Sequence, residues 1–185
     1  CQPSKVIVTG VPNFDNVQSY CHNDFPYRDY VLVATSNARE TYKLDNRNRF
    51  LRWALKIAQD RPLIFKLHPA ENVERATAEI KAVAPHALVF AEGNTEHMIA
   101  NCQVLITQYS TCVYVGLALG KECHSYFNIR QLQKLTPLQN GGVSGWHIAQ
   151  ICRQTLEETS RVFVYSPRSS KLSSLRKDTT LSRLE

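Results

Sequence analysis

Glycine is scarce, seven in 185 residues, and none of it is arranged as GxGxxG or GxxxxGK[ST]. The dinucleotide fingerprint and the Walker-type phosphate loop are therefore both excluded. There is no CxxC pair and no close Cys/His cluster among the six cysteines, so they read as small buried thiols in a reducing compartment rather than as a zinc site or a disulfide framework. Asp and Glu are scattered with no DxD-like cluster, and no metal site is expected. No apolar run approaches the roughly 20 residues that span a bilayer, and the chain reads as a soluble body. Methionine occurs once, at Met98, and the chain opens on Cys1. It thus reads as a fragment or processed product, with an N-terminal partner domain to be considered.

What is present is a globular composition, 43% hydrophobic and 21% charged, with a formal net charge of +6. Half of that excess sits in residues 166–185, where Arg168, Lys171, Arg176, Lys177 and Arg183 face Asp178 and Glu185. No aromatic residues interleave with these cations, so nucleic acid is not an expected partner. The stretch reads as a basic, Ser-rich tail, separate from a domain over residues 1–165.

Short apolar runs predict strands at Lys5–Thr9, Tyr30–Thr35, Leu63–Leu67, Ala87–Phe90, Val104–Thr107 and Cys123–Phe127. Helical spacing lies between them: Phe50, Leu51, Ala54, Leu55 and Ala58 before Pro62, then Val73, Ala76, Ile80 and Val83 before Pro85. A third helix follows Gly141 and Gly142, with Ile148, Ile151, Cys152, Thr155 and Leu156 as its apolar face. Strands apolar on both faces, alternating with amphipathic helices, call for a parallel sheet covered on both sides. The expected class is α/β, a Rossmann-like three-layer domain with a mostly parallel sheet.

In such a sheet ligands sit beyond the carboxyl ends of the strands. The loops there read Ser36-Asn37-Ala38-Arg39-Glu40, His68-Pro69-Ala70-Glu71-Asn72, Glu92-Gly93-Asn94-Thr95 and Gln108-Tyr109-Ser110-Thr111. In FKLHPAEN, residues 65–72, proline disfavours αR at His68 and aims the imidazole off the strand end. It is placed to donate to a phosphate oxygen or to act as an acid on a leaving phosphate; a capped strand terminus is the structural alternative. In ITQYSTCVYVGLALGK, residues 106–121, Ser110 and Thr111 stand where a strand meets an apolar helix. One of them is the expected N-cap, and the pair with free first-turn N–H groups would make an anion site. Gly116 and Gly120 suit close packing and a helix end, and Lys121 suits the helix C-terminus. Arg39 and Lys66 are further phosphate contacts to test against structural roles.

VTGVPNFD at 8–15, LHP at 67–69 and ITQYSTCVYVGLALGK at 106–121 together resemble the C-terminal, donor-nucleotide half of GT-B-fold transferases. The resemblance covers residues 5–127 and is nearest to the CDP-glycerol glycerophosphotransferase and capsule or sialyl/Kdo transferase group. It implies one half of a GT-B fold and a glycosyl or polyol-phosphate transfer that uses a CMP-, CDP- or UDP-activated donor as substrate and no cofactor. His68 is then the phosphate-binding, catalytic histidine, Ser110 with Thr111 the hydroxyl pair, and Ser36, Arg39 and Glu92 further donor contacts. The nucleobase lies against Phe90–Asn94. The acceptor site belongs to an absent N-terminal domain, so the isolated half is not expected to turn over. The reading places the protein in the cytoplasm, for polysaccharide or glycolipid synthesis, with its basic tail against an anionic membrane face. Where that group commonly has aspartate and proline, this chain has Gln108 and Glu122. A UDP-sugar 2-epimerase-like domain and a non-catalytic nucleotide-sugar-binding module are the alternatives.

Overall fold

The computed structural model describes residues 6–7, 9–38, 46–139 and 142–164. Two compact units divide the chain, 1–148 and 149–185, and the sheet belongs to the first. Its strands are β1 (Val31–Ala34), β2 (Leu63–Lys66), β3 (Leu88–Phe90), β4 (Val104–Thr107) and β5 (Glu122–His124), in the order β3-β2-β1-β4-β5. Every pairing is parallel, with Val31 opposite both Leu63 and Val104. All carboxyl ends therefore share one rim. The strand order reverses between β1 and β4, the point where an open parallel sheet places its ligand crevice.

The central strand is Val-Leu-Val-Ala and is buried throughout. Alternate side chains serve opposite layers, as a period of two requires. Val31 and Val33 join Phe50, Leu51 and Ala54 of α1 (Arg47–Ala58) and Ala76 and Ile80 of α2 (Val73–Val83) on one face. Leu32 and Ala34 join Met98 and Ile99 of α3 (Thr95–Asn101) and Val115 of α4 (Cys112–Ala118) on the other. Each fully buried Leu, Ile or Phe contributes about 1.5–3 kcal/mol relative to exposure, so this two-sided core is what fixes the rim. The fold is the Rossmann-like α/β sandwich that the alternation predicts.

Helices start and stop for local reasons. Asn46, Asn72 and Asn94 cap α1, α2 and α3, accepting from the N–H groups of Arg49, Arg75 and His97. The first two helices end before Pro62 and Pro85. α4 ends in a Schellman motif, with Lys121 N–H on the Gly116 carbonyl and Gly120 N–H on that of Leu117, Gly120 being at φ +68°. Gly116 is buried where an added Cβ would lie 2.7 Å from both Cys123 Sγ and Leu105 Cδ2. Both glycines thus do what their spacing implies. Lys121 Nζ donates to the Ala100 carbonyl at 2.7 Å, so it serves the C-terminal turn of α3. α5 (Ile129–Gln139) and α6 (Ser144–Val164) complete the described chain.

Four expectations change. The Lys5–Thr9 run is no strand at its described residues, and Val6 and Ile7 are 61% and 60% exposed. Among the described residues it adds nothing to the five-stranded sheet, whose edges are β3 and β5. The last strand is Glu122–His124 rather than Cys123–Phe127: pairing with β4 stops at His124, and at the next residue the Ser125 hydroxyl donates to the Gln108 carbonyl at 2.6 Å. The face expected to bury α6 is open in places: Ile148 and Cys152 are exposed and Leu156 is 67% exposed. Of the thiols, Cys102 is buried, Cys112 and Cys123 are half-buried, and Cys21 and Cys152 are exposed; the expectation of burial therefore fails at the last two. Among the described residues no helix is long and apolar enough to cross a membrane. The tail 166–185 lies outside them.

Candidate functional site

The rim carries Thr35 and Ser36 after β1, His68 after β2, Glu92 after β3, Gln108 to Thr111 after β4, and Ser125 after β5. Across the switch point the Ser36 hydroxyl donates to Gln108 Oε1 at 2.8 Å, both residues being buried. Arg39 lies outside the described residues. Glu92 is exposed at the far end of the rim.

His68 is the most constrained of the expected site residues. Its N–H is shared between the Glu71 carboxylate at 2.9 Å and Thr35 Oγ1 at 3.1 Å. Glu71 N–H returns to the His68 carbonyl at 3.0 Å and closes a turn over Pro69 and Ala70. Nδ1 accepts from the Ala70 N–H at 3.1 Å, which leaves the ring hydrogen on Nε2 and makes that nitrogen a donor. The side chain is half-buried. The imidazole is thus oriented by its own loop.

That loop is held from below by a network the sequence reading did not single out. The Glu71 side chain is fully buried and pairs with Arg47 Nη2 from α1, itself 5% exposed, and it accepts from the Thr35 hydroxyl. A carboxylate in such a place needs several donors to offset its desolvation, and Arg47, Thr35 and the His68 N–H supply them. The signal was in FKLHPAEN: a carboxylate three residues after His68 has the spacing that lets a side chain reach back to a turn's first N–H, as in a capping box.

Lys66 stands on the opposite face of β2. It is 5% exposed, and its Nζ donates to the carbonyls of Leu67 at 2.9 Å and Ala91 at 2.8 Å. Burial pushes this ammonium below the usual lysine value, opposed by the charges of Cys112, Glu71, Glu92 and Glu96. In register, Lys66, Ala34 and Thr107 form one row across β2, β1 and β4. Thr107 is fully buried, and its hydroxyl has no hydrogen-bond partner. Lys66 ties the loops after β2 and β3 together, the structural role weighed for it.

Ser110 and Thr111 do stand at the start of α4. Ser110 Oγ accepts from Cys112 N–H at 3.3 Å, and its carbonyl accepts from Val113 N–H at 3.3 Å. Thr111 is the N-cap residue, is exposed and makes no cap bond with its side chain. The N–H groups expected to be free in the first turn are thus taken, those of Cys112 and Val113 by Ser110 and that of Tyr114 by the Thr111 carbonyl, and α4 has only seven residues. The exposed Thr111 hydroxyl is the donor left open there. In the segment assigned to the base, the Phe90 ring packs on Phe25 and Tyr27, the Ala91 carbonyl accepts from Lys66, and Asn94 is the cap of α3, which leaves the backbone of Glu92 and Gly93.

Asp15, from the TGVPNFD segment, accepts from Ser144 N–H on Oδ1 and Gly145 N–H on Oδ2, both at 2.9 Å. It is the cap of α6. Among the described residues no three His, Cys, Asp or Glu side chains group to hold a metal ion.

The rim therefore brings His68, Thr35, Ser36 and Gln108 into one bonded set around β1, with Ser110 and Thr111 next along the same edge. No protein-family model matches this chain, and no curated protein matches it.

Proposed function

We propose that this domain binds the phosphate and nucleoside of an activated sugar or polyol donor, as the C-terminal half of a GT-B-like transferase acting in polysaccharide or glycolipid synthesis. The observation that carries the reading is the His68 imidazole: Nδ1 is satisfied by Ala70, Nε2–H is left as a donor, and the backbone is locked by buried Glu71 at the rim beside a topological switch point. As the donor bond breaks, negative charge grows on the departing nucleotide. A donor already aimed at it stabilises the transition state more than the ground state. Thr111 supplies a second hydroxyl, Ser36 holds Gln108 at the switch point, and the Glu92–Gly93 backbone meets the base. The acceptor and the general base come from a separate N-terminal half.

Titration of the 185-residue chain with CMP, CDP and UDP tests this. We expect at least one to bind, and His68→Ala to weaken it by tenfold or more. Absence of binding by all three, or binding indifferent to His68→Ala, defeats the reading.

A binding module without turnover is the second reading, favoured by Gln108. Its neutral carboxamide, held by Ser36, stands where the resembling transferases carry a carboxylate. Turnover by the chain joined to its N-terminal half, lost on His68→Ala, decides for the enzyme. A cytoplasmic, membrane-peripheral site belongs to the same proposal. Salt-sensitive binding to anionic vesicles, lost on deletion of residues 166–185, is its test.

A further inference from the structure

Beyond Gln108 the rim turns aromatic. Tyr109 is 67% exposed and Tyr126 is 41% exposed, although large apolar rings are rarely left open in groups without a use. The Tyr109 ring meets Tyr126 at 5.4 Å and 76° and Phe127 at 5.3 Å and 78°. Tyr126 rests in turn on Trp53 at 5.5 Å. Ser125 fixes the arrangement, since its hydroxyl donates to the Gln108 carbonyl at 2.6 Å and accepts from Phe127 N–H at 3.2 Å. One side chain thus pins the backbone on both sides of the ring pair. The platform is built before any ligand arrives, which lowers the ordering cost of binding.

We infer that Tyr109, braced edge-to-face by Tyr126, is a stacking surface for a sugar ring on the donor, so that the domain takes a cyclic sugar rather than an acyclic polyol. This rests on the donor reading above. The sheet order sets the sequence of subsites along the rim: the base-facing backbone after β3, the phosphate donor His68 after β2, then β1, Thr111 after β4, and the aromatic rings of the β4 and β5 loops. A donor laid along it with its base at the β3 end and its phosphate at His68 carries its transferred group toward Tyr109. The C–H face of a pyranose is apolar and packs on an aromatic ring, while the tyrosine hydroxyls stay wet. Glycerol or ribitol offers no such face.

The test is calorimetric titration of the wild-type chain and of Tyr109→Ala and Tyr109→Phe, each shown to keep the wild-type melting temperature. The probes are CMP-N-acetylneuraminate and UDP-N-acetylglucosamine as ring-bearing donors, CDP-glycerol as the acyclic one, and CMP and UDP alone. We expect a ring-bearing donor to bind more tightly than its bare nucleotide. Tyr109→Ala should remove about tenfold of that affinity, Tyr109→Phe should preserve it, and CMP, UDP and CDP-glycerol should not respond to either change. Bare nucleotides that bind with no added affinity from a sugar ring overturn this inference and leave the donor reading standing. So does tighter binding of CDP-glycerol, or an equal loss for bare nucleotides in Tyr109→Ala, which would put the base on the platform. If no nucleotide binds, the donor reading falls and this inference with it.

Discussion

The buried carboxylate of Glu71 accepts the backbone N–H of His68 at 2.9 Å, so the histidine offered to solvent is fastened through its main chain to a group that solvent does not reach. The same carboxylate pairs with Arg47. Removing it frees the loop and takes from the buried guanidinium its nearest carboxylate, with Glu79 Oε2 standing 3.8 Å from Nε. We expect Glu71→Ala to cost about 3–5 kcal/mol of unfolding free energy, the usual penalty for breaking a buried pair. Glu71→Gln, which keeps an acceptor for the His68 N–H, should cost less. Urea denaturation measures both; a loss below about 1 kcal/mol for Glu71→Ala would show that the network is dispensable.

Gly116 and Gly120 separate two costs that glycine replacement usually mixes. Gly116→Ala drives a methyl against Cys123 Sγ and Leu105 Cδ2, and should lose about 1–3 kcal/mol through overpacking. Gly120→Ala meets nothing within 4 Å but must hold φ +68°, so its loss is backbone strain alone, about 1–2 kcal/mol. Gly120→Asn should recover part of that loss, and Gly116→Asn none. Thermal melts of the four variants check the pattern.

Asp15 makes the start of α6 sensitive to acid. The Gly145 N–H, with help from Ser144, holds its carboxyl below the ordinary value of 3.8. The native state thus binds fewer protons than the unfolded chain just below that value. The stabilisation is complete above 3.8 and is lost as pH falls through the lower native value. Amide exchange at Ser144 and Gly145 should accelerate on acidification in the wild type, relative to the exposed Gly142 amide. In Asp15→Ala, which leaves no acceptor, it should be fast already at neutral pH. Equal protection in the two proteins would dismiss the cap.

The thiols should fall into two classes. Burial pushes Cys102 and Cys123 up to about 12, which keeps them protonated and slow toward alkylating agents, while Cys21 and Cys152 are exposed. Iodoacetamide at mildly alkaline pH should label Cys21 and Cys152 in the native chain, and Cys102 and Cys123 only after unfolding. Mass spectrometry of the digested protein reads the order.

Much of this was legible before any coordinates. Strands such as Val31–Ala34 and Val104–Thr107 are continuous apolar runs, a pattern that needs cover on both faces, and the parallel sandwich followed from it. Lys5–Thr9 carries the same signal and forms no strand in its described part, because composition marks what can pair and not what does. His68 and the hydroxyl pair were singled out because they sit just after such runs. Glu71 was missed: its importance lies in Arg47 and Thr35, which come from elements far away in the chain and meet it only in the folded core. The aromatic set escaped for the same reason, since Tyr109, Tyr126 and Trp53 share no local period. Ser110 was read correctly as a helix-start residue, but its own groups and the Thr111 carbonyl consume the N–H donors that a ligand would have used.

β1 is made early, yet one of its two partners arrives late, since Val31 pairs with Val104. While the ribosome is still short of β4, the most apolar strand of the molecule has an open edge with unmated amides and carbonyls. A nascent chain in that condition is a template for pairing with its neighbours. Production of this domain should therefore depend on chaperone supply and synthesis rate, and versions cut off before residue 104 should accumulate as insoluble aggregates.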